Sequence, residues 1–141
     1  MVAMLGATIV EGKKITDLVN EGKISKEKLD QIIDRTKKGG AEIVKFLEKG
    51  SAFYAPAASG VEMAECYLKD LKKQLPCAVY LDGEYGTKDI YAGVPVIIGS
   101  KGVEKVIELD LSAEEKDNFD NSIKAVKELF DAAKKIDPEL K

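Results

Sequence analysis

Apolar side chains recur at helical spacing over a long segment that begins at Ser25. Every three or four positions a small or apolar residue returns: Leu29, Ile32, Ile33, Thr36, Gly40, Ile43, Val44 and Leu47. This period predicts an amphipathic helix, with Ser25 as its N-cap. The stripe keeps its phase across Gly39 and Gly40, so we predict a kinked but continuous helix in which a close backbone approach explains Gly40. Upstream, residues 15–19 suffice for one or two helical turns.

A second helix is predicted after this segment. Pro56 is tolerated only in a first turn, so the helix should begin between Ser51 and Ala55. It should run to about Lys73, where the apolar spacing ends. Its predicted packing face contains Ala57, Val61, Ala64, Leu68 and Leu71.

Three β-prone runs follow, at residues 77–81, 90–98 and 103–109. Asp82-Gly83 is a strong turn signal after the first run. Gly93 and Pro95 predict an edge position or a bulge for the second run. Because the connections are short, the runs predict an antiparallel meander.

The last predicted helix has the clearest start. Ser112 and Glu115 have the spacing of a capping box, and apolar residues then return at Phe119, Ile123, Val126, Phe130 and Ala133. The helix should end near Lys135, before Pro138. The order of the elements predicts the α+β class, with long helices packed on an antiparallel β-meander and a C-terminal helix. No repeat or linker divides the chain, so we expect one domain over residues 1–141.

Composition narrows the classes of protein. The chain has 141 residues, 45% hydrophobic and 33% charged, with a net charge of −3, so it offers no basic surface for nucleic acid. No apolar run reaches the ~18 residues of a membrane helix, and residues 1–10 lack the basic start of a signal peptide. Cys66 and Cys77 form no CxxC pair. We therefore expect a reduced, cytoplasmic protein with neither membrane nor nucleic-acid partners.

The candidate chemistry is limited by what the chain lacks. It contains no histidine, the usual general base near neutral pH. Arg35 is the only arginine, and a salt bridge is favoured over a substrate clamp because one guanidinium rarely holds a dicarboxylate unaided.

The glycines follow neither nucleotide-binding pattern, and cysteines without histidine partners predict no metal site. Ser51, Ser59 and Tyr54 have no histidine to activate them. The acidic residues are interpreted as solvated: Glu62, Glu65, Asp82, Glu84, Asp89, Glu114, Glu115 and Asp117.

One stretch, KGSAFYAPAASGVEMAECYL (Lys49–Leu68), concentrates small residues. Small side chains permit close helix packing, or they leave room for a ligand at a pocket wall. On the residues alone, both interpretations stay open.

Three strings read together resemble the C-terminal half of malate dehydrogenases of the lactate-dehydrogenase-like group. They are GGAEIVKFLEKGSAFYAPAAS, EMAECYLKD and LPCAVYLDGEYGTKDIYAGVPVIIGSKGVEKVIELDLSAEEK. The resemblance runs in order from about Ile15 onward, whereas Leu5 to Gly12 departs from the usual pattern and its path is not predicted. Residues 1–4 resemble the segment that follows the family's active-site histidine loop. We therefore expect the histidine and the NAD-binding Rossmann half upstream of Met1.

The resemblance implies NAD-dependent interconversion of malate and oxaloacetate, a step of the tricarboxylic acid cycle. In such enzymes a histidine paired with an aspartate exchanges the hydroxyl proton while hydride passes to nicotinamide, and arginines bind both carboxylates. No catalytic, cofactor-binding or metal-binding residue carries over to this chain. A substrate-side wall does carry over, at Ser51, Ala52 and Pro56, where Ala52 leaves room for a second carboxylate.

These observations predict the C-terminal, substrate-binding domain of a malate dehydrogenase. We expect the chain to be inactive alone, to bind no NAD alone, and to form a homodimer or homotetramer in the full-length enzyme. An apolar surface that normally meets the nucleotide domain would favour association. A non-catalytic oligomerisation or interaction fragment is the rival hypothesis. A lactate-type 2-hydroxy acid dehydrogenase is disfavoured by the GSAFYAPAAS string.

Overall fold

A computed structural model of the chain describes residues 2–137 and 139–140. They form two compact units, Ala3–Glu62 and the part of the chain from Met63 onward. The elements, in chain order, are a 3₁₀ turn (Leu5–Ala7), β1 (Ile9–Val10), β2 (Lys13–Lys14), α1 (Ile15–Asn20), α2 (Lys26–Leu47), α3 (Tyr54–Leu68), β3 (Lys73–Asp82), a second 3₁₀ turn (Glu84–Gly86), β4 (Lys88–Gly99), β5 (Gly102–Val106) and α4 (Ala113–Ile136). Helices that flank an antiparallel meander confirm the α+β class.

The first unit contains α1, α2 and a small hairpin. The stretch without a predicted path forms the 3₁₀ turn and the antiparallel pair β1–β2. The Ser25 side chain caps α2 by accepting a hydrogen bond from the Lys28 N–H at 3.2 Å. The helix continues through both glycines, as predicted. The close approach proposed for Gly40 is wrong, because a Cβ added there would meet no atom within 4 Å.

The third helix, α3, begins where Pro56 required but ends at Leu68 instead of continuing to about Lys73. Asp70 and Lys72 have φ values of 48° and 49°, a left-handed conformation that a helix cannot contain. The predicted packing face is also wrong for this chain, since Val61 is 68% and Leu68 is 79% exposed. The fully buried residue of α3 is Cys66, on another face.

The second unit is built on a three-stranded antiparallel sheet in the order β3-β4-β5, so the predicted meander is confirmed. One face of the sheet supplies most of the core: Cys77, Leu81, Ile90, Ala92, Val94, Val96 and Ile98. The third strand is shorter than predicted and ends at Val106. A register shift between Ile97 and Ile98 lies within β4, downstream of Gly93.

The central strand is β4, although it contains Pro95, so the predicted edge position is wrong. Pro95 lies opposite Pro76 in the pairing with β3, and on its other side its carbonyl accepts a hydrogen bond from the Ile107 N–H at 2.8 Å. A residue of an antiparallel ladder directs its N–H and C=O to the same neighbour. The N–H that proline lacks would therefore point at Ile107, just beyond β5. The Ile107 carbonyl accepts instead from the Tyr85 hydroxyl at 2.7 Å.

The C-terminal helix, α4, confirms the predicted capping box. The Glu115 N–H donates to the Ser112 hydroxyl at 3.3 Å, and the Ser112 N–H donates to the Glu115 carboxylate at 2.9 Å. Phe119 and Ile123 are buried, whereas Val126 and Phe130 remain partly exposed. The helix ends at Ile136, next to the predicted end, and Pro138 lies outside the described residues.

Replacing Ser112 with alanine tests this cap. The substitution leaves the Glu115 N–H without its partner, and we expect the free energy of unfolding to fall by about 1 kcal/mol. Urea denaturation followed by circular dichroism measures the change. Ser122→Ala is the matched control, because Ser122 lies inside α4, where alanine favours the helix. Equal losses in both variants would contradict a specific role of the cap.

Candidate functional site

The three predicted wall residues lie in one short segment, residues 50–56, which connects α2 to α3; we call it the wall segment. The chain turns out of α2 at Glu48, with φ 60°, and at Gly50, with φ 97°. A Cβ on Gly50 would lie 3.1 Å from the Phe53 ring atom Cε2. The dihedral angle therefore favours glycine at the start of the wall segment, and a Cβ there would also crowd the Phe53 ring.

Within the wall segment, Ser51 and Pro56 are exposed and Ala52 is half-buried. The Phe53 N–H donates to the Ser51 carbonyl at 3.0 Å, which holds the loop in a tight bend. The first helical bond runs from the Ala57 N–H to the Phe53 carbonyl at 3.1 Å. Pro56 comes immediately before that bond, where a missing N–H costs nothing.

The chemistry available to the wall segment is steric and dipolar. A helix start presents backbone N–H groups without intrahelical partners, which favour negative charge nearby. Ala52 adds little volume, and Ser51 adds a hydroxyl. The chain has no histidine to accept a proton here. The segment can thus shape and attract an anionic ligand, but it supplies no general base of the usual kind.

Arg35 forms an ion pair, as favoured from the sequence. Its Nε donates to one carboxylate oxygen of Glu42 at 3.1 Å, and its Nη2 donates to the other at 3.0 Å. Glu42 lies seven residues further along α2. This two-point pairing raises the pKa of Arg35 and lowers the pKa of Glu42. The guanidinium is therefore already engaged in the described chain.

Most of the acidic residues are exposed, and some of the eight also accept hydrogen bonds. Glu115 is buried, because its carboxylate completes the capping box. Asp89 accepts a hydrogen bond from the Tyr80 hydroxyl at 2.7 Å. Among the described residues, no group of three histidine, cysteine or acidic side chains is arranged to hold a metal ion. The described helices include none that is long and apolar enough to cross a bilayer.

Comparison with known proteins assigns the chain. The family model for the lactate/malate dehydrogenase alpha/beta C-terminal domain matches residues 1–136. The chain belongs to the lactate/malate dehydrogenase family. It corresponds to the C-terminal domain of that family, which confirms the resemblance predicted from its sequence. The match also includes residues 5–12, which had departed from the expected pattern.

Individual relatives give the same assignment. The chain is 65% identical over 140 residues to the malate dehydrogenase of Pelagibacter ubique (strain HTCC1062), covering 99% of this chain and 44% of that protein. The crystal structure of Cryptosporidium parvum malate dehydrogenase matches with a TM-score of 0.83 and 45% identity, over 87% of this chain and 39% of that one. The crystal structure of lactate dehydrogenase from Eimeria maxima with NADH and oxamate matches with a TM-score of 0.91 and 42% identity. That match covers 96% of this chain and 42% of the other. The chain thus spans less than half the length of these relatives.

The described residues do not fit a dinucleotide. A Rossmann site places a glycine-rich turn between a parallel strand and a helix. In this family member both sheets are antiparallel, and the pair Gly39-Gly40 lies inside α2. NAD therefore has no cradle of this type among the described residues.

Sequence reasoning assigned no surface-contact role to three aromatic residues in and near the wall segment. Phe46 and Phe53 are both mostly exposed, as is Tyr54. Phe46 lies off the apolar stripe of α2, which was the available signal, since a large apolar residue outside the packing stripe points to a surface contact.

Proposed function

We propose that this chain is the substrate-side domain of an NAD-dependent malate dehydrogenase, which interconverts malate and oxaloacetate. The observation that carries the proposal is the 65% identity to a malate dehydrogenase along 140 residues. The half-buried Ala52 supports a pocket with room for a four-carbon dicarboxylate.

In this proposal Ser51, Ala52 and Pro56 form the wall that faces the bound keto acid. The helix start attracts a carboxylate, and the small side chains limit the size of the substrate rather than react with it. The proton exchange requires a histidine, which this chain lacks. The nicotinamide cofactor would bind to the other half of the complete enzyme. We therefore expect no malate-dependent NADH formation by the chain alone.

The complete enzyme is proposed to be a cytoplasmic homodimer or homotetramer that serves the tricarboxylic acid cycle. Cys66 and Cys77 are both buried and not disulfide-bonded, which supports a reducing compartment. The exposed Phe46 and Tyr54 support association through apolar contacts. A monomer by light scattering that binds no hydrophobic dye would contradict association of this chain.

A chimera tests the activity. We would join this chain to the N-terminal part of the Pelagibacter ubique enzyme, which is the part that the match leaves uncovered. The chimera should oxidise NADH with oxaloacetate, whereas this chain and the N-terminal part should each fail alone. The intact Pelagibacter enzyme is the positive control. A folded, oligomeric chimera without activity would overturn the proposal.

The wall is tested in the same chimera by Ala52→Leu. The larger side chain should occupy part of the substrate space and raise the KM for oxaloacetate about tenfold or more. Ala58→Leu is the matched control, because Ala58 is an exposed alanine six residues further on, in α3. An unchanged KM in Ala52→Leu would mean that the small residues of the wall segment serve close packing and do not shape the substrate pocket.

A lactate-type activity is the second candidate. It is favoured by the close match of the fold to the Eimeria maxima lactate dehydrogenase, with a TM-score of 0.91. The chimera decides between the substrates when kcat/KM is measured with oxaloacetate and with pyruvate. A higher kcat/KM with pyruvate than with oxaloacetate would favour a lactate dehydrogenase over a malate dehydrogenase. A chain that assembles but gives no active chimera would support the non-catalytic fragment.

A further inference from the structure

A cavity in the second unit combines aromatic walls with one carboxylate and one ammonium group. The cavity has a volume of about 600 Å³, and it is lined by Tyr80, Asp89, Ile90, Tyr91, Val126, Phe130 and Lys134. Three of these residues are aromatic. The wall segment does not contribute to it.

The carboxylate of this cavity belongs to Asp89, which lies in a β-bulge. Leu81 pairs with Ile90 and Asp82 pairs with Lys88, so Asp89 is the extra residue between them. Its φ of 58° is left-handed, a conformation that aspartate tolerates better than most residues. Bulges re-aim side chains and recur beside binding sites. Here the bulge brings Asp89 within 2.7 Å of the Tyr80 hydroxyl.

The two tyrosines provide walls at an angle to each other. The ring centroids of Tyr80 and Tyr91 are 5.6 Å apart, with 65° between the ring planes. The hydrogen bond to Asp89 raises the pKa of the Tyr80 hydroxyl. Tyr80 therefore stays a neutral hydroxyl that donates to the Asp89 carboxylate.

A cation already occupies part of the cavity. The Lys134 Nζ lies 4.6 Å from the centroid of the Phe130 ring. This is the geometry of a cation–π contact, which shows that the Phe130 face is available to an ammonium group. Lys134 is in the last turn of α4, where the free carbonyls also attract a positive charge. It has a favourable alternative position if a ligand displaces it.

We propose that this cavity binds a small quaternary ammonium compound of the choline class. Aromatic faces and a carboxylate together attract an organic cation, since each ring presents negative potential at its face. The same surfaces disfavour an anion. A neutral apolar ligand would gain nothing from Asp89. Lys134 acts as the intramolecular competitor that the ligand must displace.

The probe is choline, titrated into the full 141-residue chain at constant ionic strength. The chain has no tryptophan, so the emission of its five tyrosines, which include Tyr80 and Tyr91, is free of interference from indole. We expect saturable binding with a dissociation constant on the order of 10 mM. The neutral isostere 3,3-dimethylbutanol should bind at least about tenfold more weakly, because it lacks the charge that Asp89 and the rings attract.

Three variants make the assignment specific. Asp89→Asn keeps an oxygen for Tyr80 and removes the charge, so it should weaken choline binding about tenfold. Lys134→Ala removes the competitor and should strengthen binding. Lys135→Ala removes the neighbouring charge, which does not line the cavity, and should change binding less than Lys134→Ala does. Circular dichroism confirms that each variant is folded.

Several outcomes would overturn the proposal. Equal binding of choline and its neutral isostere would indicate an ordinary apolar groove. The absence of saturable binding would exclude the ligand class. Equal effects of the two lysine variants on choline binding would show that Lys134 acts only through its overall charge. Lys134 would then not compete with choline inside the cavity.

Discussion

Replacing Phe119 with alanine should lower the free energy of unfolding of the sheet-bearing unit by about 3–5 kcal/mol. Phe119 is only 4% exposed and is a core residue of α4. Its ring centroid lies 5.0 Å from that of Tyr85, with the planes tilted by 38°. The substitution removes the buried apolar surface and leaves a cavity between the helix and the Tyr85 turn. Urea denaturation monitored by circular dichroism measures the loss.

Phe130→Ala is the matched control for this prediction. It removes the same side chain from the same helix, at a position that is 40% exposed. The smaller buried surface should make the loss at Phe130 clearly smaller than the loss at Phe119. Equal losses would show that α4 is stabilised evenly along its length, rather than by its N-terminal half.

Replacing Tyr85 with phenylalanine should lower the free energy of unfolding by about 2 kcal/mol. One hydroxyl serves two backbone groups: it donates to the Ile107 carbonyl at 2.7 Å and accepts from the Leu109 N–H at 2.9 Å. Both bonds are partly buried. Their loss leaves two backbone groups without the partner that holds the chain after β5. The Tyr85 ring remains, so its contact with Phe119 is kept and the hydroxyl alone is tested.

The control for the hydroxyl is Tyr91→Phe, because Tyr91 is 65% exposed. We expect that substitution to change stability by less than about 0.5 kcal/mol. Amide hydrogen exchange at Ile107 and Leu109 adds a local measurement, and exchange there should accelerate in Tyr85→Phe alone. Unchanged stability and exchange would mean that solvent replaces both bonds without cost.

The Tyr85 bonds show why a correct strand prediction did not give the correct strand position. Gly93 and Pro95 predict either an edge position or a bulge, because proline cannot donate to a ladder. In the structure the missing donor points beyond the end of β5, and Tyr85 satisfies the Ile107 carbonyl. Tyr85 lies in a turn 22 residues before Ile107 in the sequence. No local sequence pattern can reveal a contact over that separation.

The candidate site shows the same division. Pro56 predicted a helix start between Ser51 and Ala55, and α3 begins at Tyr54. The role of Ser51, Ala52 and Pro56 as a substrate wall came from family resemblance and stays a proposal. Asp89 was interpreted as an ordinary solvated acid. Only the pairing of β3 with β4 identified it as a bulged residue, whose carboxylate accepts a hydrogen bond from the Tyr80 hydroxyl.

The sequence by itself determined the helices, their caps, the meander and the family, because these depend on neighbours within a few positions or on a long shared string. Ser25 and Ser112 cap their helices through N–H groups three residues away. Tertiary structure alone decided which faces are covered. Val61 and Leu68 follow a helical stripe, yet they are exposed in this chain. An apolar pattern states that a face can be buried, whereas burial itself requires a partner surface at the right place in space.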